Sequence, residues 1–234
     1  MIETLSLFWQ FLKKPKLLKL SKDNKSLHRD FLWILVLDIL FAGLIMSIYY
    51  LLLHFQVIKE YYEKVDVLKK YGIYAMLFLG CLVAPFIEES MFRWHLRKKY
   101  ATIYFICFSL AIISAYFLNS NYLYFPIFTF FLIIALILHS YFKRISTTRK
   151  QLFWRKAYPF IFYYSGVLFG LVHYTNMKDL TLDNPVFLIF VSSQAFGGLS
   201  MGYLRIKYGF WYSVLFHCCF NFIAIMLEFF LSKI

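Results

Sequence analysis

Charged residues are scarce in this chain. Asp, Glu, Lys and Arg together make up 16% of its 234 residues, whereas a typical soluble domain contains about 25%. Hydrophobic residues make up 62%, which excludes an ordinary soluble domain. Because apolar stretches of about 20 residues recur along the sequence, we predict an all-α, polytopic transmembrane helical bundle.

Other absences narrow the class of protein. The first residues lack a basic leader and a small-residue cleavage site, so we expect no cleaved signal peptide. No H-E-x-x-H motif is present, which removes one zinc-protease signature. No internal repeat is visible, which counts against a secondary transporter. Cysteines are few and lie only in apolar stretches, where we expect free thiols: Cys81, Cys107, Cys218 and Cys219.

Hydropathy predicts about seven spans, or eight, in a single bundle. Residues 1–30 are a basic amphipathic segment with a break at Pro15, which we expect on the cytoplasmic membrane surface. Residues 31–234 form the bundle. The predicted spans are 31–54, 72–94, 101–118, 122–142, 157–174, 186–206 and 210–231, with a polar linker at 56–70, a turn at 119–121 and a basic loop at 143–156.

The basic residues are distributed unevenly among the connecting segments. Most of the 25 Lys and Arg residues lie in the leading segment, just after the second span, in the basic loop and between the last two spans. Cytoplasmic loops are enriched in Lys and Arg, so this pattern predicts a multi-pass protein of the cell membrane (the inner membrane if bacterial) with a cytoplasmic N-terminus and an external C-terminus. The net charge of +13 therefore indicates a lipid partner and no nucleic acid.

The second predicted span ends with the sequence P-F-I-E-E-S-M-F-R, which contains Glu88, Glu89 and Arg93. Each charge at the centre of a bilayer costs roughly 2.5–3.5 kcal/mol. Glu89 and Arg93 can pair across one helical turn, but such a pair contributes only a few tenths of a kcal/mol on an isolated helix. Glu88 points about 100° away and has no local partner. The cluster indicates a functional site inside the bundle.

Two later spans carry polar residues at helical spacing. Phe169 and His173 are separated by one turn, as are His217 and Asn221. A lone intramembrane histidine is more often an interhelical hydrogen-bond partner. Together with the carboxylates on the second span, however, these residues favour function.

In this order on separate spans, the motifs E-E-x-x-x-R, F-x-x-x-H and H-x-x-x-N resemble the CPBP or ABI family of intramembrane glutamic endopeptidases. This family includes the Ras-converting type II CAAX prenyl proteases. The similarity covers about residues 72–231, with an additional hairpin between the first two motifs, and leaves the leading segment and the first span outside it.

The resemblance implies a role for each motif residue. Glu88 is the general base, His173 helps to hold the water, and His217 and Asn221 donate to the oxyanion. Glu89 and Arg93 form the supporting pair that orients the loop or helix end, and Phe169 is a further supporting residue. The substrate would be a membrane-anchored peptide or protein, either prenylated or simply hydrophobic. No cofactor is required, although two carboxylates and two histidines leave zinc as the alternative.

Other interpretations compete with this one. Gly198, Ser200 and Gly202 match the serine-hydrolase motif G-x-S-x-G, but inside a helix the glycines are better explained as packing positions, as are Gly166 and Gly170. Asp38 on the first span is an interhelical partner or a residue of substrate entry. A non-enzymatic protein of the same fold, such as a bacteriocin self-immunity or binding factor, and a transporter are the alternative functions.

The predicted spans place Glu88 and His173 at different membrane depths. Glu88 is near the basic end of its span, whereas His173 is near the opposite end of the fifth. To share a water molecule, the fifth helix must start late (Pro159 could mark that start), tilt strongly, or be followed by a loop that stays inside the bundle.

Overall fold

The structure is a computed structural model that describes residues 1–61, 67–118 and 120–231. Within these ranges it contains no strand and nine α-helices: α1 Ile2–Lys13, α2 Asn24–His54, α3 Val67–Phe78, α4 Ala84–Phe92, α5 Lys99–Leu118, α6 Tyr124–Arg144, α7 Thr147–Tyr174, α8 Phe187–Lys207 and α9 Phe210–Leu231. Much of the predicted linker at 56–70, and Asn119 of the predicted turn, lie outside the described residues. The predicted all-α bundle is confirmed.

Six helical segments of the described chain are long and apolar enough to cross a membrane: Asn24–His54, Lys70–Phe92, Lys99–Leu118, Asn121–Arg144, Phe187–Lys207 and Phe210–Phe230. Each corresponds to a predicted span. The remaining predicted span, 157–174, lies within α7, which has 28 residues but is not among the six because tyrosines and polar residues interrupt its apolar stretch. Length and composition therefore support six spans, and the burial of α7 in the bundle accounts for its lower hydropathy.

One face of the leading helix α1 packs against the bundle, and its place on the cytoplasmic membrane surface stays a prediction. Phe8 and Phe11 on α1 are buried and belong to the main core of the protein. Phe11 meets Phe162 edge to face at 5.1 Å, and Thr4 donates a hydrogen bond to Asp30 at 2.7 Å. The apolar face of α1 thus packs against aromatic side chains of α7 and α8, Phe162 and Tyr203.

Helix α7 begins earlier in the sequence than predicted. The basic segment 143–156 is not a loop, because α7 begins at Thr147, where Ser146 accepts a hydrogen bond from the Arg149 backbone N–H. Pro159 lies inside this helix and does not mark its start. Tyr158 of α7 lies beside Leu96 and Ser165 beside Phe92, and His173, further along the same helix, lies beside Glu88.

The segment after α7 folds back onto the bundle. Leu180 and Val186 in this connection are buried in a cluster with Tyr49 of α2 and Tyr174 of α7. Of the three ways predicted to bring Glu88 and His173 together, the late start is wrong, and the connection after α7 does pack on the bundle.

Glycines set the distance between α7 and α8. A Cβ atom added at Gly170 would lie 2.5 Å from the Val191 carbonyl oxygen, and one added at Gly166 would lie 2.6 Å from a Leu199 methyl group. Cβ atoms added at Gly198 and Gly202 on α8 would lie 3.1 Å from the Gly166 carbonyl oxygen and 2.9 Å from the Phe162 ring. The predicted packing role of these glycines is confirmed, and it brings the α7 backbone close to the helix that follows it.

Candidate active site

The helix that carries Glu88 is interrupted by a π-helical turn, Leu79–Val83. The Ala84 N–H bonds to the Leu79 carbonyl, five residues back, so the next donor in this register would be residue 85. Residue 85 is a proline and has no N–H, which leaves the Gly80 carbonyl without a donor from its own helix. The Asn221 Nδ2 group donates to that carbonyl at 2.7 Å. Such π-turns often accompany functional sites.

The other end of the motif helix is held by side chains from other helices. The last carbonyls of a helix have no partner of their own. Ser165 on α7 donates to the Phe92 carbonyl, and Arg205 on α8 donates to the Arg93 carbonyl at 3.1 Å. Tyr158 donates to the Leu96 carbonyl at 3.0 Å. These bonds fix the depth of α4 against α7 and α8.

The structure brings Glu88 and both predicted histidines together. Glu88 Oε2 lies 3.6 Å from His173 Nε2 and 3.7 Å from His217 Nε2. Among the described residues this oxygen has no hydrogen-bond partner. The Glu88 side chain is 26% exposed and that of His173 is 20% exposed, so the site opens to the outside of the bundle.

The second carboxylate belongs to a buried network. Glu89 and Arg93 are both fully buried, with Glu89 Oε1 3.4 Å from Arg93 Nη1. The same oxygen lies 3.2 Å from His217 Nδ1, and Ser213 donates a hydrogen bond to Glu89 Oε2. Glu89 therefore connects the guanidinium group to the imidazole that faces Glu88.

Phe169 explains how a buried arginine is tolerated here. Its ring lies under the Arg93 guanidinium, with Cζ 3.9 Å from the ring centroid. The ring also contacts the imidazole of His173, with centroids 4.4 Å apart. A desolvated cation over an aromatic face gains about 2 kcal/mol, so Phe169 both stabilises the charge and orients His173.

The hydrogen bonds determine how the two histidines carry their protons. His173 Nδ1 lies 2.8 Å from the Phe169 carbonyl, which can only accept, so Nδ1 carries the hydrogen. His217 Nδ1 faces the carboxylate of the Glu89–Arg93 pair and is likewise the donor. In its neutral form each imidazole presents an unprotonated Nε2 to Glu88. Three acceptor atoms converge, and a water molecule can donate to two of them.

A small cavity on the other side of His217 contains polar groups from three helices. Its volume is about 20 Å³, and its walls include Asp38, Gln194, His217 and Asn221. This volume is enough for about one water molecule. Asp38 is 2% exposed, and none of the described residues forms a hydrogen bond with it. Asn221 thus shares this cavity with His217 while bonding the Gly80 carbonyl.

Sequence reasoning missed two residues of this network. Ser213 is one turn before His217 on α9, and this spacing could have placed it on the same helix face as His217. Arg205 appeared only as part of the charge count that set the orientation. Asp38 was noted as a polar residue of the first span, but no pattern in the sequence connects it with His217.

The serine of the competing motif is not placed for attack. Ser200 is fully buried within α8, and its Oγ has no hydrogen-bond partner among the described residues. All four cysteines are free thiols. Within the described ranges, no group of three or more His, Cys, Asp or Glu residues is arranged as a metal site. Whether the site works without metal stays a prediction.

Comparison with known proteins identifies the family. Residues 70–223 match the family model of type II CAAX prenyl endopeptidases that are Rce1-like. The chain belongs to the Rce1-like family. No match was found among curated proteins or among solved structures. The matched region contains all seven predicted site residues and excludes Asp38, so the predicted resemblance is confirmed and a membrane-embedded protease is the class to which the chain belongs.

Proposed function

We propose that this protein is an intramembrane endopeptidase in which Glu88 activates a water molecule to attack a peptide bond of a membrane-anchored substrate. The observation that carries this proposal is the convergence of Glu88 Oε2 with both imidazole Nε2 atoms, at 3.6 and 3.7 Å. A carboxylate and two imidazoles around one point can position a water molecule and accept its proton.

In this mechanism the water donates one hydrogen to Glu88 and the other to His173 Nε2. The oxygen lone pair then attacks the peptide carbonyl carbon, and Glu88 takes the proton. The same proton passes to the departing amine when the C–N bond breaks, which completes hydrolysis without an acyl-enzyme.

His217 and Asn221 are proposed to stabilise the oxyanion. His217 can donate from Nε2 only when both of its ring nitrogens carry hydrogen. The Glu89 carboxylate at Nδ1 stabilises that positive charge, as a carboxylate does for other catalytic imidazoles. Asn221 Nδ2 has two hydrogens and donates one to Gly80, which leaves the second for the substrate.

The substrate class, orientation and cofactor requirement belong to the same proposal. The family description favours a prenylated or otherwise hydrophobic C-terminal segment anchored in the bilayer. The uneven Lys and Arg distribution favours a cytoplasmic N-terminus. The site is proposed to act without zinc, because the carboxylate and the imidazoles suffice for acid–base catalysis.

The direct test uses purified protein in vesicles that contain a labelled, membrane-anchored peptide. We expect one internal cut, identified by mass spectrometry of both fragments. The cut should persist after chelation and after serine- and thiol-directed reagents, and be lost in His173→Ala. The matched control is Ser90→Ala on the motif helix, whose hydroxyl bonds only the Phe86 carbonyl one turn before it. Absence of cutting across a panel of anchored peptides would favour a binding or immunity factor instead.

A further inference from the structure

A large cavity separates the α5–α6 hairpin from α7. Its volume is about 510 Å³, and its lining includes Ile106, Leu138, Phe142 and Ile161. Two residues, Ile145 and Ser146, connect α6 to α7, yet in the described chain α6 packs along α5 and makes no extended contact with α7. The hairpin therefore leans away from α7 and leaves an apolar space of a size typical for a bound amphiphile.

The mouth of this cavity is basic. Lys99 at the start of α5 and Lys150 at the start of α7 are both among its lining residues and are partly buried. Lys150 Nζ donates to the Lys143 carbonyl at 3.3 Å, which leaves two of its hydrogens free. None of the described residues pairs with Lys99.

No carboxylate of the local chain compensates these lysines. The sequence contains no Asp or Glu between Glu89 and Asp179, a stretch that includes α5, α6 and α7. An unneutralised pair of ammonium groups at one end of an apolar cavity indicates a ligand with an anionic head and a hydrocarbon tail.

A third group points to the same ligand. Trp154 lines the cavity and is 9% exposed, and its indole Nε1–H has no hydrogen-bond partner among the described residues. A buried indole N–H normally finds an acceptor. An ester or phosphate oxygen at the head of the ligand would supply it.

We infer that this cavity is a binding site for an anionic phospholipid, with one acyl chain between the hairpin and α7 and the phosphate on Lys99 and Lys150. The site is separate from the Glu88 centre and does not depend on the proposed hydrolysis. Its occupant would fill the space between α6 and α7 and hold the hairpin to the rest of the bundle.

The test is a lipid competition on full-length protein reconstituted with equal amounts of dioleoyl phosphatidylglycerol and dioleoyl phosphatidylcholine. Native mass spectrometry gives the ratio of the two lipids that remain bound. We expect the anionic lipid to be preferred. Lys99→Gln and Lys150→Gln should each lower the preference by about fivefold, the effect of one basic residue near a membrane surface.

The matched control changes the adjacent basic residues, Lys98→Gln with Arg149→Gln, which removes the same charge. Both side chains are exposed and neither lines the cavity, so the preference should stay within about twofold of the wild type. An equal loss in this control and in the variant that combines Lys99→Gln with Lys150→Gln, or no lipid preference in the wild type, would overturn the proposal. Gel filtration and unchanged peptide cutting show that each variant is folded.

The acyl chain is tested separately with phosphatidylglycerol brominated on its acyl chains, which quenches nearby tryptophan. The fluorescence of Trp154 itself is the difference between the wild type and Trp154→Phe. We expect the brominated lipid to quench this fluorescence. Unquenched Trp154 would contradict an acyl chain in the cavity. So would displacement of the phospholipid by an isoprenoid alcohol at equal concentration, because it would assign the space to an isoprenoid chain.

Discussion

The α7–α8 pair and the α5–α6 hairpin are both pairs of consecutive helices, but they are packed in opposite ways. In the most apolar window of α8, 39% of the residues are buried inside the protein, compared with 6% in α6. Glycines hold α7 against α8 with backbone atoms close together, whereas α6 contacts little besides α5. The first pair positions the motif helix α4, since Ser165 of α7 and Arg205 of α8 donate to its last carbonyls, and the proposed lipid cavity lies beside the second. Dense packing of α7 on α8 fixes the geometry of the site, whereas loose packing of the α5–α6 hairpin leaves space for a lipid molecule.

The largest difference between the two regions should come from the buried ion pair. Arg93→Met leaves Glu89 as an uncompensated buried charge, which costs about 3–5 kcal/mol. Tyr104→Phe in the hairpin removes only a hydrogen bond of 3.1 Å to His139 and should cost about 1 kcal/mol. Denaturant unfolding in detergent measures both. Equal losses would mean that the two regions are equally stable.

Packing between α7 and α8 should be the next most sensitive feature. Gly170→Ala places a methyl group 2.5 Å from the Val191 carbonyl oxygen, and we expect a loss of about 1–3 kcal/mol. Gly43→Ala on α2 is the control, since nothing lies within 4 Å of the added methyl group. That change should stabilise its helix by about 0.5–1 kcal/mol. If the two variants change the melting temperature alike, α7 and α8 do not approach each other closely at Gly170.

Asn221 should have a structural effect as well as a catalytic one. Asn221→Ala removes the donor to the Gly80 carbonyl, and an unpaired buried carbonyl costs about 1–3 kcal/mol. A residue that acted only on the oxyanion would change turnover without changing stability. Unfolding and cutting assays on the same preparation separate the two roles, and an unchanged melting temperature would contradict the contact with the π-turn.

The smallest effect near neutral pH should come from His95, which joins the two regions. This histidine lies in the short 3₁₀ segment Trp94–Arg97 and stacks on Phe105 of α5 at 3.8 Å. Burial lowers the pKa of His95 from 6.5 to about 3. The unfolded chain therefore binds a proton that the folded chain does not, and stability should fall by about 1.4 kcal/mol per pH unit as the pH drops below about 6.5.

His95→Phe is the comparison for this pH effect. Phenylalanine keeps the stacking on Phe105, and Thr102 can still donate to the backbone carbonyl of residue 95. The variant should lose the part of the acid sensitivity that begins near pH 6.5, as measured by melting temperature between pH 5 and 7.5. Identical pH profiles for the two proteins would show that His95 is not buried in its neutral form.

Much of the fold and site could be predicted because the membrane imposes simple rules. Long apolar segments must be helices, and charged residues inside them are rare enough to mark Glu88, Glu89 and Arg93 directly. The start of α7 was missed because its first turns are basic and only the later ones are apolar, so hydropathy placed the boundary ten residues too late. The docking of α1 was missed because an amphipathic helix can cover lipid or protein equally well.

The finer geometry could not be read from spacing. A helical period shows that His217 and Asn221 share a face, but not that Asn221 bonds the Gly80 carbonyl, because that bond depends on a π-turn in a distant helix. Asp38 reaches the site only through the packing of α2 on α8 and α9. Long-range contacts of this kind depend on how the helices assemble, which a single sequence does not specify.

The central claim is that Glu88 is the base for a water molecule that is also held by His173. The most direct measurement is the single-turnover rate of cutting of one membrane-anchored peptide by Glu88→Gln, beside the wild type and Ser90→Ala. Glutamine has nearly the same shape but cannot accept the proton, so we predict a loss of at least about a hundredfold, with substrate binding and melting temperature unchanged. A Glu88→Gln protein that cuts the peptide at the wild-type rate would contradict the account.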